Sequence, residues 1–253
     1  MHPFPQHLKA TGLHYHQFFS EIHQKFHFDW YMEIGCQSGK SLAHCHGKTI
    51  AVDPYFRAST NIIGKKERLH VFQSTSDDFF KTDFLKKNEI SLSFSFLDGM
   101  HVIDFLLRDF INTEKNSMKN GVIAVHDCCP YSVEMTTTDL SNIPDGAWTG
   151  DIWKIIPILQ EYRKDLKIEI LDCSTTGLLV ISNLDPDNTV LEVNTAEILK
   201  KFQNITILEY GLDKYFSGLA FKNAASFLHE PNSVFSGAIT IAEPAFTPKL
   251  HST

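Results

Sequence analysis

Apolar positions change their period repeatedly along the 253-residue chain, and each change marks an element. In HYHQFFSEIHQKFH (14–27) they recur at helical intervals, which predicts an opening helix whose histidines sit on a solvated or half-buried face. DWYMEIG is a short apolar run closed by Gly35, and CQSGKSLAHCH behind it predicts a turn leading directly into a helix. KTIAVD (48–53) and RLHVFQ follow as strands. SDDFFKTDFLKK predicts a helix capped by Ser76, with Asp77 and Asp78 in its acidic first turn. SLSFSFLD (91–98) alternates and then becomes wholly apolar, HVIDFLLRDFINTEKN has helical spacing, and NGVIAVHD (120–127) reads as a buried strand.

Strands separated by helices of this length predict βαβ units with right-handed crossovers and a parallel sheet covered on both faces. After the loop CCPYSVEMTTTDLSNIPDGA, the segment WTGDIWKIIPILQEYRKDL predicts a helix that Pro157 kinks or starts. KIEILDC and GLLVISNL, joined by STTG, predict an antiparallel hairpin. The expected fold is therefore α/β: a Rossmann-like, doubly wound, mostly parallel sheet ending in an antiparallel hairpin. Residues 1–28 form an N-terminal helical segment and 29–184 the ligand-binding domain. Residues 185–253, with a helix near 192–203, form an appendage of the same globule or a contact between copies of the chain in a homo-oligomer.

Charge narrows the partners. Thirty acidic against 23 basic residues give a formal charge of -7, which argues against a nucleic-acid surface built on a general basic field. No window is apolar for long enough to span a bilayer, and the first residues lack a basic segment followed by an apolar stretch, so a cytoplasmic protein is expected. Five cysteines without a disulfide-framework spacing fit a reducing compartment.

Ligands of open parallel sheets bind beyond the carboxyl ends of the strands. Here those ends carry Glu33-Ile34-Gly35 with Ser38-Gly39, then Asp53, then 74–77, then Asp98 with His101, and His126-Asp127. In EIGCQSG the backbone can turn at Gly35 and approach a ligand closely at Gly39, while Asp53 can accept both hydroxyls of a ribose. The spacing G-x-G-x-x-G of dinucleotide sites is missing, so the site suits a nucleoside without a pyrophosphate. Zinc at VHDCCPY is disfavoured, because the consecutive Cys128 and Cys129 cannot easily share one tetrahedral centre with His126.

Taken together, EIGCQSG, AVDPYF, STSDDFF, FLDGMH, VHDCCP and GAWTGDIWK resemble the class I S-adenosylmethionine-dependent methyltransferases, and within them the type 24 family, over roughly residues 30–185. Cys36-Gln37-Ser38 stand where many relatives have another glycine. The resemblance implies that Glu33, Gly35, Ser38 and Gly39 border the methionine and sugar of S-adenosylmethionine, that Asp53 holds the ribose, and that Ser76 and Asp77 sit near the adenine. It also implies that Asp98 and Asp127 converge near the sulfonium. Two carboxylates facing one cavity repel unless a cation separates them, and magnesium or manganese suits oxygen ligands, so Asp98, His126 and Asp127 are the expected metal ligands. His101 or His126 would receive the acceptor's proton. Trp148, Asp151, Trp153 and Lys154 would wall an acceptor pocket.

Structural alternatives stand beside each role. Asp98 could cap the next helix, His101 could lie at the surface, Asp127 could tie down its loop, and the two tryptophans could pack in the core. Adjacent strand residues face opposite ways, so His126 and Asp127 reach one site only if the strand bends. The implied function is metal-assisted O-methylation of a small hydroxylated acceptor: a sugar, a sugar nucleotide or a natural product, with surface polysaccharide biosynthesis as one setting. The competing readings are N-methyl transfer without metal, an NAD-dependent oxidoreductase, which the missing glycine pattern and the lack of a clear Tyr-x-x-x-Lys pair disfavour, and a non-enzymatic cofactor-binding protein.

Overall fold

The structure, a computed structural model, describes residues 9–229, 234–235 and 239–241. Its first elements are α1 (Tyr15–Lys25), β1 (Phe26–Phe28), β2 (Trp30–Ile34), β3 (Lys48–Val52) and β4 (Arg68–Phe72). They are followed by α2 (Ser76–Lys81), α3 (Phe84–Lys87), β5 (Leu92–Leu97), α4 (Ile103–Lys115) and β6 (Ser117–His126). Then come α5 (Ile155–Tyr162), β7 (Lys167–Leu171) and β8 (Leu178–Ser182). The chain continues through α6 (Val190–Val193), α7 (Thr195–Phe202), α8 (Ile207–Tyr210), α9 (Leu212–Ser217), β9 (Phe221–Lys222), α10 (Ala224–His229) and β10 (Ile239–Ile241).

Among the described residues, eight strands form one sheet in the order β4-β3-β2-β5-β6-β8-β7-β9. The five from β4 to β6 run parallel, β8 runs antiparallel to both β6 and β7, and β9 extends the far edge parallel to β7. Strand order reverses between β2 and β5, where crossovers leave on opposite sides and a crevice opens at the carboxyl ends. Every side chain of β2 and β5 is buried, as expected of strands covered on both faces.

Each face has its own core. On one, Met32, Ile34 and Leu97 pack with Ile103, Leu107 and Phe110 of α4, Ile155 and Leu159 of α5, and Leu191, Ile198, Phe202 and Tyr215. On the other, Phe18, Phe19 and Ile22 of α1 pack with Tyr31, Phe94 and Phe96 in an aromatic-rich layer. Helices α6, α7 and α9 thus share the core of the first face with the sheet, and among the described residues no helix is long and apolar enough to cross a membrane.

Several elements differ from the expected ones. The opening helix stops at Lys25, and β1 follows it to pair with β10. Behind Gly35 there is only a single 3-10 turn, Leu42–His44, because Gln37 and Gly39 both take left-handed backbone (φ 39° and 76°) that breaks a helix. SDDFFKTDFLKK splits at Asp83, which is also left-handed (φ 54°). The α2 cap is Thr75, whose hydroxyl accepts the Asp78 amide, and Ser76 is the first helical residue. α5 begins at Ile155, two residues before Pro157, which sits in the first turn, where the amide it lacks has no acceptor within α5. The helix expected near 192–203 is two, α6 and α7, joined at Asn194.

Candidate functional site

A cavity of about 800 Å³ opens at the carboxyl ends of β2, β3, β5 and β6. Gly35, Ser38, Asp53, Ser76, Asp98, His101, His126, Asp127 and Trp148, all proposed from sequence, line it.

At the end of β2, the Gly35 amide bonds to the Val52 carbonyl (3.0 Å) and the Asp98 amide to the Ile34 carbonyl (2.9 Å), drawing three strand ends together. Gly35 has φ 87°, and a Cβ there would fall on the carbonyl of Asp98. Gly35→Ala therefore adds left-handed strain of roughly 1–2 kcal/mol to a backbone collision that displaces Asp98. A lowered unfolding temperature together with weakened S-adenosylhomocysteine binding, measured by scanning and titration calorimetry, is the expected result; an unchanged pair of values would refute this reading of the crevice.

Asp53 is fixed by two backbone amides, Gln37 (2.7 Å) and Tyr55 (2.6 Å), one on each carboxylate oxygen. Each oxygen keeps a lone pair for a diol. Glu33 lies beneath the loop, outside the cavity lining, and accepts the hydroxyls of Tyr31 (2.8 Å) and Ser41 (2.6 Å). Burial pushes its carboxyl up to about 7, against the two hydroxyl bonds that favour the anion. Gly39 turns the loop outside the lining, with Ile62 filling the space a side chain would need. Asp77 likewise turns away, held by the Arg108 guanidinium at 3.0 Å on both oxygens.

The acidic half is built by β5, α4 and β6. Asp127 is left-handed (φ 58°), the bend that brings its carboxylate to the same side as the preceding His126. The Thr176 hydroxyl donates to it. His101 Nδ1 lies 2.7 Å from the Trp148 carbonyl, which can only accept, so Nδ1 carries the hydrogen. Nε2 then points at Asp98 (3.5 Å) and Asp127 (3.4 Å). Ligand atoms of Asp98, His101 and Asp127 lie within 4.8 Å of one another.

His126 Nδ1 faces the same carboxylates, at 3.3 Å from Asp98 and 3.4 Å from Asp127, without hydrogen-bond geometry at either ring nitrogen. Burial is the strongest single influence on its imidazole and lowers its proton affinity, but the two carboxylates outweigh it and the net shift is upward. His101 is raised for the same reason, and Asp98 is held below the usual carboxylate range by both imidazoles despite its burial. Two carboxylates and an imidazole whose other nitrogen is tied to a carbonyl form a donor set that fits a divalent cation. His101 joins the two aspartates in that set, and His126, the ligand expected from the sequence, faces the same carboxylates from its own side.

The acceptor wall expected from GAWTGDIWK is present only in part. Trp148 lines the cavity, its indole donating to the Thr137 carbonyl (2.8 Å). Asp151 instead caps α4 through the Ile103 amide (2.7 Å) and pairs with Lys154 (2.7 Å), which also donates to the Gln203 carbonyl. Trp153 is buried between Tyr210 and Tyr215. These three residues fasten the C-terminal helices rather than meeting a ligand. Conversely, Tyr15, His16, Lys40, Tyr55 and Phe105 line the cavity without having been proposed. The Tyr15 ring lies 4.0 Å from that of His126, between centroids. Only the HYH cluster at the start of α1 hinted at this.

No family model matches the chain, and no curated protein matches it. Among solved structures, cofactor-bound Rv0187 from MTB is similar with a TM-score of 0.51 and 12% identity, over 69% of this chain and 80% of that one. The O-methyltransferase TomG from Streptomyces achromogenes, in complex with SAM, gives a TM-score of 0.48 and 12% identity over 66% and 78%. An O-methyltransferase from Bacillus cereus, in complex with SAH, gives 0.45 and 13% over 68% and 79%. The likeness is one of fold. The strand order, five parallel strands closed by an antiparallel hairpin, is the class I methyltransferase arrangement that the sequence motifs imply.

Proposed function

We propose that the chain is an S-adenosylmethionine-dependent methyltransferase that methylates a hydroxyl of a small acceptor with the help of a divalent cation, magnesium or manganese, held by Asp98, His101 and Asp127. The observation that carries this reading is the meeting of those three residues in the same cavity as the Gly35 turn and the amide-fixed Asp53. The carboxylate at Asp53 suits the ribose, and Ser38 and Ser76 line the same cavity.

S-adenosylmethionine supplies a methyl group already activated by its sulfonium, so the protein's task is alignment and removal of one proton. A divalent cation bound by the two aspartates and His101 would make an acceptor hydroxyl easier to ionise. As the new C–O bond forms and the S–C bond breaks with its electron pair going to sulfur, the hydroxyl proton needs a base. His126 suits that role by position, since it lines the cavity beside Asp98 and Asp127; those carboxylates raise its proton affinity, so it serves as a base only once neutral, a state that a cation sharing their charge would favour. The acceptor class is a sugar, sugar nucleotide or natural product, in the manner of the type 24 family, with surface polysaccharide biosynthesis as one setting. The five cysteines, all free and buried, support a reducing, cytoplasmic environment.

Titration calorimetry with S-adenosylhomocysteine and with NAD separates this reading from an oxidoreductase. Binding of the former alone is expected, and tight NAD binding without a response to the homocysteine compound would sink it. With labelled S-adenosylmethionine and a screened acceptor, a chelator is expected to stop transfer. Transfer to a nitrogen acceptor that ignores the chelator would favour the metal-free N-methyl alternative.

A further inference from the structure

The cavity carries charge of both signs, and only the acidic side has been given a ligand. Lys40 follows the Gly39 turn, lines the cavity with an exposed side chain, and pairs with no carboxylate among the described residues. His16, the second residue of α1, lines the same cavity, and its Nδ1 is shut off from solvent without a hydrogen-bond partner among the described residues. His14, just before it, caps α1 by accepting the His16 amide on Nδ1 (3.2 Å), which leaves its hydrogen on Nε2. Burial first, and then neighbouring imidazoles and Lys40, depress the proton affinity of His16 to about 4, and His14 is lowered by burial, His126 and Lys40.

Chain continuity ties this group to the acceptor side of the cavity. Tyr15 directly precedes His16 and packs its ring, tilted by 35°, against His126, which faces Asp98 and Asp127. A ligand with a hydroxyl at the carboxylates and an anionic group beside Lys40 would use both halves of one cavity of about 800 Å³. We propose that Lys40 and His16 form an anion subsite for the acceptor, so that the acceptor is a phosphorylated hydroxyl compound, a sugar phosphate or sugar nucleotide, rather than a neutral sugar. Lys40 supplies a compact charge, and the neutral His16 ring can add a hydrogen bond only through Nε2, since its Nδ1 is shut off; the charge-assisted bond from Lys40 is what distinguishes a phosphate from a neutral hydroxyl.

The inference rests on the methyltransferase reading, and its test keeps the two apart. The full chain is saturated with S-adenosylhomocysteine in the presence of chelator, so that no cation holds phosphate at the aspartates, and inorganic phosphate is titrated with phosphorus NMR as the readout. Phosphate is expected to bind the wild-type complex and to bind Lys40→Ala and His16→Ala roughly tenfold more weakly, with Lys40→Arg restoring most of the loss. The affinity of each variant for S-adenosylhomocysteine is expected to stay within about twofold of wild type, a change too small to reflect loss of a charged contact. Absence of phosphate binding to the saturated wild type, or equal binding by Lys40→Ala, would overturn the inference alone. Weakened S-adenosylhomocysteine binding by Lys40→Ala would assign the lysine to the cofactor's own carboxylate and would also overturn it. Failure of the wild type to bind S-adenosylhomocysteine would remove the methyltransferase reading and the inference together.

Discussion

Asp98→Asn is expected to slow methyl transfer by about 10²–10³-fold while leaving the protein folded. The amide keeps the volume and planarity of the carboxylate, and the backbone contacts of residue 98, its amide on the Ile34 carbonyl and its own carbonyl against Gly35, do not involve the side chain. What changes is the charge. Asp98 is one of three groups whose ligand atoms lie within 4.8 Å of one another, and its Oδ1 also faces His101 and His126. Exchanging an anionic oxygen for a neutral amide oxygen leaves Asp127 as the one anionic ligand beside His101 and weakens the attraction that favours the protonated imidazoles. A direct readout independent of turnover is manganese affinity by electron paramagnetic resonance, expected to fall by at least the roughly 10–100-fold seen when residues supporting a metal ligand are lost. Wild-type manganese affinity and wild-type transfer in Asp98→Asn would exclude the metal role of this aspartate.

That cluster was legible because of how a parallel strand ends. β5 and the second half of β6, from Gly121, are buried on both faces, so Asp98 and His126-Asp127, arriving where the apolar run ends, stand out against them. Sequence could state the obstacle at His126-Asp127 but not its resolution, since the left-handed turn at Asp127 depends on a loop whose Thr176, 49 positions on, donates to the carboxylate. His101 could be read in either of two ways because the choice depends on the Trp148 carbonyl, 47 residues away. GAWTGDIWK misled for the same reason. Asp151, Trp153 and Lys154 look like a functional group when read in a row, yet their partners are the Ile103 amide, Tyr210 and Tyr215, and the Gln203 carbonyl. Tyr15 and His16 were missed because helical periodicity assigns α1 a buried face and says nothing about which end of the sheet its first turn overhangs.

Arg163→Ala is expected to cost about 3–5 kcal/mol of stability without touching the cavity. The guanidinium meets Glu114 bidentately, Nη1 to Oε2 at 2.5 Å and Nη2 to Oε1 at 2.8 Å, with side chains only 1% and 4% exposed. Its other edge takes Asp165 through Nε (3.0 Å) and Nη2 (2.8 Å), and Glu114 also accepts the Asp185 amide at 3.1 Å. One arginine thus joins the end of α4, the end of α5 and the segment leading to α6. Truncation leaves the Glu114 carboxylate buried with a single amide for company, and an uncompensated buried charge accounts for most of the expected loss. Urea unfolding should show a lower midpoint at an unchanged slope. The double variant Arg163→Met, Glu114→Leu should recover much of the loss, because apolar side chains of similar volume remove the desolvation penalty along with the attraction. Since neither residue lines the cavity, S-adenosylhomocysteine affinity in the single variant should match wild type below the unfolding transition. A loss under about 1 kcal/mol, the scale of a solvent-exposed pair, would mean that water reaches Glu114 and that this junction is looser than its geometry indicates.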